Sequence, residues 1–261
     1  MKKQINKKQP FVLSIAGFDP CAGAGILADI KTFEQIQVYG LGVCSGITFQ
    51  NDNVFNGVNW THLNDICSQL QLLIKRYKFE YIKIGIIEDL QVLNQLIDFL
   101  LKEIPQVKII WDPILSASTG YHFLEMMDSS FIYFICQKIF LVTPNIQEIK
   151  KMMNLENPFE AAESLSKACA VLLKGGHSDS DICTDILYMK GQTYTYEKER
   201  LEQGEKHGSG CVLSAAIAAF LTLGNTLPES CQMAKEYMQD FLASSNNLLG
   251  HHNAVAIPIK V

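Results

Sequence analysis

The sequence lacks any uninterrupted apolar run near the ~18 residues that a membrane-crossing helix needs, so no span is expected. It lacks a basic excess too. Its 22 Lys and Arg stand against 27 Asp and Glu, for a net charge of −5, and that balance points to no nucleic-acid partner. It has no Cys-x-x-Cys. Its 8 cysteines, at 21, 44, 67, 136, 169, 183, 211 and 231, are too dispersed for the usual zinc spacing. Disulfide frameworks serve small secreted domains rather than a chain of 261 residues with its own core, so these are read as reduced thiols of a cytoplasmic protein. No Pro/Gly/Ser-rich linker and no internal repeat interrupts the chain, which implies one domain over residues 11–261.

What is present is apolar material. Hydrophobic residues make up 48% and charged residues 19%, a composition that excludes a disordered chain. The first ten residues carry Lys2, Lys3, Lys7 and Lys8, like the start of a secretory leader. The apolar stretch behind them is short, however, and runs into Gly17-Phe-Asp-Pro20 without a small-residue cleavage pattern. Residues 1–10 are therefore read as a flexible, solvated tail.

Short apolar runs alternate with longer amphipathic stretches. Strands are expected at Phe11–Ala16, Leu41–Phe49, Tyr81–Ile84, Lys108–Asp112, Phe140–Thr143, Val171–Lys174 and Ile182–Met189. Most are aliphatic or β-branched throughout, as in strands buried on both faces. Helices are expected at Gly25–Ile36, Leu63–Tyr77, Asp89–Leu101, Ser129–Lys138, Ile146–Met153, Pro158–Ala168, Cys211–Leu223 and Pro228–Leu249. Such alternation predicts βαβ units, hence an α/β/α sandwich of three layers around a mostly parallel sheet. The segment from Tyr188 to Lys206 is the loosest, with a hairpin-like Gly191-Gln192 and a polar tail expected to be exposed.

In an open α/β sheet, ligands sit outside the carboxyl ends of the strands. There the sequence places Gly17, Asp19, Gly23 and Gly25, then Gln50, Lys83, Asp112, Asn145, Glu148 and Lys174-Gly-Gly176. The loop Gly23-Ala-Gly25-Ile-Leu-Ala28 matches the G-x-G-x-x-A form of the dinucleotide fingerprint, but the next strand ends Phe49-Gln-Asn51 without a ribose-binding carboxylate. A plain tight turn and a small-ligand site remain open for it. The loop His207-Gly-Ser-Gly-Cys211 opens an apolar helix, where free amides and the helix dipole favour an anion. No Gly-Lys-Ser/Thr follows, so it is not a Walker A loop. Cys211 at that N-terminus is expected to have a lowered thiol pKa, unless it is simply a buried cysteine in a glycine-permitted turn. Asp112 and Glu148 suit Mg²⁺, directly or through waters, or else serve as a helix cap and a solvated helix face. Lys174 suits a phosphate as a point charge, or is a surface lysine.

Taken together, these residues resemble the hydroxymethylpyrimidine and hydroxymethylpyrimidine-phosphate kinases of thiamin synthesis, within the ribokinase-like superfamily. The resemblance runs from about Val12 to Leu249. It is carried by Ile15-Ala-Gly-Phe-Asp-Pro-Cys-Ala-Gly-Ala-Gly25, Ala28-Asp-Ile-Lys-Thr-Phe33, Phe49-Gln-Asn51, Lys83-Ile-Gly85, Asp112-Pro113, Thr143-Pro-Asn145 with Glu148, Leu173-Lys-Gly-Gly-His177 and His207-Gly-Ser-Gly-Cys-Val-Leu-Ser-Ala-Ala216.

The resemblance implies ATP-dependent, Mg²⁺-assisted phosphorylation of 4-amino-5-hydroxymethyl-2-methylpyrimidine and of its monophosphate. Gly208, Ser209, Gly210 and Cys211 would form the anion hole, with Cys211 accepting or orienting the substrate hydroxyl proton. Gln50 would bond the pyrimidine, and Gly17, Ala24, Asp29 and Ile86 would line its pocket. Lys174, Ser209, Asn145 and Gly176 would meet ATP, and Asp112 and Glu148 would organise Mg²⁺. The partners implied are these small molecules and a second copy of the chain, with no nucleic acid or membrane. A pyridoxal kinase of the same superfamily is the alternative, and a non-catalytic pyrimidine-binding relative a further one. The sequence departs from the family pattern at Cys21 and Ala22, where Ser and Gly are usual. It also departs at Ser118, where a lysine is usual, at Ile86 and Ile87, and at Ser209 in place of Thr. Losing the lysine at 118 bears most on the already phosphorylated substrate.

Overall fold

The computed structural model describes residues 9–115, 128–175, 181–201, 204–253 and 255. Among them the strands are β1 (Phe11–Phe18), β2 (Tyr39–Gln50), β3 (Phe55–Trp60), β4 (Phe79–Ile84), β5 (Lys108–Trp111), β6 (Leu141–Val142), β7 (Ala170–Leu173), β8 (Ile182–Met189) and β9 (Gln192–Glu199). The helices are α1 (Gly25–Gln35), α2 (Leu63–Arg76), α3 (Leu90–Glu103), α4 (Ser129–Cys136), α5 (Ile146–Met153), α6 (Pro158–Leu165), α7 (Ser209–Thr222) and α8 (Leu227–Ala243).

The strands form one sheet in the order β3-β2-β1-β4-β5-β6-β7-β8-β9. From β2 through β7 all pairs are parallel, and β3, β8 and β9 add antiparallel pairs at the two edges. Helices α2 to α6 cover one face, and α1, α7 and α8 cover the other. This is the three-layer α/β/α sandwich expected. The chain leaves β1 towards β2 on one side and returns to β4 on the other. That reversal opens a crevice beyond the carboxyl ends of β1 and β4, where such sheets take ligands.

Alternation along the parallel strands decides what lies in that crevice. Val12, Tyr81, Ile110, Leu141 and Leu172 belong to the core under α1, α7 and α8. Their neighbours Leu13, Ile82, Ile109, Val142 and Val171 belong to the opposite core. Two residues on, the strand period returns each chain to the α7 side. There stand Ser14, Lys83, Asp112, Thr143 and Lys174, a polar row across the top of an otherwise apolar layer. The ladder persists this far, since Asp112 N donates to Ile84 O at 2.9 Å, Thr143 N to Trp111 O at 3.1 Å and Lys174 N to Pro144 O at 2.8 Å.

Most element ends fall within three residues of those expected from the sequence, with three larger departures. Phe55-Asn-Gly-Val-Asn-Trp60 forms β3 despite its turn-forming residues, because an edge strand needs only one partner and half its surface can stay wet. Asn51 Oδ1 accepts from the amides of Asn53 and Val54 and folds the chain back into it. The segment read as loose holds β9, whose alternating Thr, Tyr and charged residues suit an exposed edge. Helix α8 stops at Ala243, six residues early. Ser244 caps it, and the Ser245 and Asn247 side chains bond the following backbone instead of letting the helix continue. Pro10, placed in the tail, accepts a hydrogen bond from Tyr39 N at 2.9 Å and so is tied to the sheet.

The two cores differ sharply from the surface in what a deletion costs. Leu93 of α3 is fully buried, whereas Leu72 of α2 is 70% exposed. Leu93→Ala is expected to destabilise by ~2–5 kcal/mol, and Leu72→Ala by no more than about 0.5 kcal/mol. Urea unfolding of both variants checks the pair, and equal losses would contradict this placement of the core.

Candidate active site

The polar row is held by two buried ion pairs. Lys83 and Asp29 of α1 are wholly buried, and Lys83 Nζ donates to both Asp29 oxygens at 2.9 and 2.8 Å. Ser14 Oγ donates to the same carboxylate. Burial alone would push the Lys83 ammonium down. The carboxylates of Asp29 and Asp112 outweigh it and hold the lysine above its ordinary value.

The second pair joins β5 to β7. Lys174 Nζ donates to Asp112 Oδ1 at 2.9 Å and lies 3.8 Å from Glu148 Oε2. Thr143 Oγ1 donates to Asp112 Oδ1 at 3.0 Å and Ser214 Oγ to Oδ2 at 3.1 Å. Burial would raise the Asp112 pKa, but Lys174, Lys83 and these hydrogen bonds bring it below the usual carboxylate value. Glu148 goes the other way. Burial, helped by the Asp112 charge and opposed by Lys174, pushes it up to about 7. Glu148 also closes a capping box with Asn145, the N-cap of α5, so it is neither a solvated face nor free to move. Asp112 is no helix cap but a member of the buried row.

Helix α7 brings its N-terminus down onto this row. A Cβ on Gly210 would stand 3.3 Å from Lys174 Nζ and 3.8 Å from Asp112 Oδ2, so this turn lies directly over the ion pair. Gly208, its N-cap, has φ +75, and a Cβ there would meet Gly23 O at 2.1 Å and Ala24 Cα at 2.6 Å. The two glycine loops are thus in contact, and only glycine fits at 208. Cys211 lies buried in the first turn of α7. The lowered thiol pKa expected from the helix N-terminus is not found. Burial, with the Asp112 and Asp29 charges, outweighs Lys83 and the Gly25 amide and pushes the thiol up to about 11. Cys211 is therefore a neutral thiol at neutral pH.

The residues expected to line a pocket are brought together in part. A Cβ on Gly17 would meet the Ile86 side chain at 2.4 Å, so these two adjoin at the end of β1. Ala24 lies against Gly208. Asp29 sits beneath them, its carboxylate engaged by Lys83 and Ser14 rather than turned to a ligand. Gln50 stands further out, because the last residue of β1, Phe18, pairs with Ile47, three residues before it. Ser209 opens α7 and is partly exposed. Gly176 and Ser118 lie outside the described residues. Sequence reasoning did not single out Ser14 or Ser214. Ser14 had a signal, as the one polar residue in Val12-Leu-Ser-Ile-Ala16, whereas Ser214 looks like any small residue of an apolar helix.

A third buried pair braces the strand end beyond Lys174. Lys235 of α8 donates to Asp185 Oδ2 at 2.7 Å, and Asp185 Oδ1 accepts from Gly175 N at 2.9 Å.

Comparison with known proteins adds to this geometry. Residues 19–256 match a family model described as phosphomethylpyrimidine kinase. A hydroxymethylpyrimidine/phosphomethylpyrimidine kinase of Haemophilus influenzae is 30% identical over 258 residues, covering 93% of this chain and 94% of that protein. Among solved structures, a phosphomethylpyrimidine kinase of Clostridium difficile superposes with a TM-score of 0.75 at 28% identity, over 88% of this chain and 98% of that one. The pyridoxal kinase of Staphylococcus aureus in complex with ADP superposes with a TM-score of 0.82, over 95% and 94% of the two chains. At 23% identity that likeness shows the fold alone.

The pairing of Lys83 with Asp29 is testable without any substrate. Lys83→Met leaves a buried carboxylate without its cation and is expected to cost ~3–5 kcal/mol. Adding Asp29→Leu is expected to recover most of that loss, because the unpaired charge goes with it. Urea unfolding of the single and double variants reads this directly. A double variant less stable than the single one would overturn the assignment.

Proposed function

The chain belongs to the phosphomethylpyrimidine kinase family and is a phosphotransferase, and from that premise we propose that it transfers the γ-phosphoryl group of ATP to 4-amino-5-hydroxymethyl-2-methylpyrimidine and then to its monophosphate, as in thiamin synthesis. The observation that carries this reading is the seating of the α7 N-terminus over the Asp112–Lys174 pair. Phosphoryl transfer asks a protein mainly for positioning and charge stabilisation, which a helix N-terminus above a buried cation supplies.

In this reading the amides of Gly208, Ser209, Gly210 and Cys211 surround the transferring group. By helix geometry the first amides of α7 have no partner within the helix, although that of Ser209 donates to Lys206 O at 3.3 Å and would have to exchange it for the phosphoryl oxygen. Lys174 acts on the phosphates as a point charge, and Ser209, Asn145 and Gly176 complete the ATP contacts. Asp112 and Glu148 offer only oxygen donors, the chemistry that Mg²⁺ prefers, and the Lys174 ammonium already lies between them as a cation, so the residues fit the ion. When bound, Mg²⁺ neutralises phosphate charge. A neutral Cys211 thiol is poised to orient the substrate hydroxyl, and little base strength is required where the transition state is loose. Gly17, Ala24 and Ile86 shape a narrow floor for a flat ring. Gln50 carries an amide that matches a ring nitrogen and an amino group together. Asp29 acts through Lys83 as a positioning residue. A homodimer is part of the same proposal, and light scattering in solution tests it.

The deciding experiment is ADP release with Mg·ATP against hydroxymethylpyrimidine, its monophosphate and pyridoxal. Turnover with both pyrimidines is expected. Turnover with pyridoxal alone would replace this reading by a pyridoxal kinase, and silence with all three would reject transfer. Cys211→Ala is expected to lower kcat by roughly 100-fold or more with the pyrimidine KM little changed. Full turnover by that variant would remove Cys211 from the mechanism.

A further inference from the structure

A cluster that the transfer reaction does not use sits where the two glycine loops meet. Asp19 lies in the β1–α1 loop and is 1% exposed. Its Oδ2 accepts from Cys21 Sγ at 3.2 Å and from His207 Nε2 at 3.0 Å, a residue 188 positions away in the chain. The three ligand atoms lie within 4.8 Å of one another. A tetrahedral shell with bonds of 2.0–2.3 Å places its ligand atoms about 3.3–3.8 Å apart, so small side-chain movements suffice to admit an ion.

We propose that Asp19, Cys21 and His207 form a three-ligand Zn²⁺ site, separate from the Asp112–Glu148 pair, that ties the β1–α1 loop to the segment entering α7. The donor set selects the metal. A thiolate, an imidazole and one carboxylate suit zinc, whereas Mg²⁺ and Ca²⁺ take oxygen donors. Zinc takes the place of the two hydrogens now shared with Oδ2. The Cys21 thiol proton passes to solvent, and the His207 proton moves to Nδ1 so that the Nε2 lone pair is free. One thiolate and one carboxylate balance the ion's charge. The carboxylate is held ready, because the Cys21 amide donates to Oδ1 at 3.0 Å and the Gly23 and Ala24 amides to Oδ2 at 3.1 and 2.8 Å. Three protein ligands leave a fourth position for water.

The site depends on Cys21, the donor that makes the set suit zinc rather than magnesium. Serine is therefore the informative substitution, since it keeps a hydroxyl donor in the same loop. Chelator-stripped protein with Mg²⁺ in excess would be titrated with Co²⁺, followed by its thiolate charge-transfer absorption, and with Zn²⁺, followed by calorimetry and the unfolding midpoint. One equivalent per chain, a thiolate band and a raised midpoint are expected. Cys21→Ser is expected to lose the band and to weaken Zn²⁺ binding beyond the roughly 10–100-fold that loss of a mere supporting partner costs. Cys44→Ser is expected to change neither. No thiolate band in the unsubstituted chain, or a band and affinity that survive Cys21→Ser, would overturn the proposal.

Discussion

The structure depends on keeping charge inside a low-dielectric layer. Lys83, Asp29 and Asp112 are wholly out of water, and each would be costly alone. Their pairing constrains geometry beyond one contact. Lys83 joins β4 to α1, Lys174 joins β7 to β5, and Ser214 joins α7 to β5. One strand or helix displaced by a turn would strand a charge. The apolar layers on either side favour burial of any well-shaped hydrophobic surface, but they do not choose where α1 and α7 end. The contacts of Asp29 with Lys83 and of Ser214 with Asp112 add a directional constraint on how α1 and α7 sit over the sheet.

The same pairs govern how the site would meet an anion. Both lysines of the row are already engaged by carboxylates, so they offer less bare positive charge than their number suggests. Glu148, pushed up to about 7 by burial and by its neighbour Asp112, shows that the pocket barely tolerates a third carboxylate charge. In the proposed reaction an incoming polyphosphate would rely on the amides that open α7 and on a divalent cation to balance it. Cys211 fits this economy of charge. A thiolate there would add one more negative group beside Asp112 and Asp29, and the electrostatics keep it a neutral thiol.

The sequence made the sheet legible because strands buried on both faces read as apolar runs, and the residues just past them read as a site. Asp112 and Lys174 were read in this way as candidates, and the Gly208–Cys211 loop from the glycines that open an apolar helix; the structure brings the three together. The edge strands β3 and β9 were not, because half-wet edge strands carry the same Asn, Gly and charged residues as loops. Nor was the upward push on the Cys211 thiol readable. Its place at a helix N-terminus is local and visible, whereas Asp29, Asp112 and Lys83 reach it from three other elements. Asp19 and His207 show the same limit, since spacing along the chain carries no trace of a contact between two loops.

That contact explains why both loops are rich in glycine. A Cβ at Gly208 would strike Gly23 O, and a Cβ at Gly25, with φ +60, would strike Gly17 O, each at 2.1 Å. The missing side chain at Gly208 lets the N-terminus of α7 pack directly against Gly23 and Ala24, the residues that open α1. Each helix end carries roughly half a positive charge. Two of them converging beyond the switch point of the sheet would favour an anion there, adding to the Lys174 charge that the proposed reaction uses. The small residues of the first loop then have a reason that neither a dinucleotide fingerprint nor a plain turn provides. They set how closely two dipoles approach.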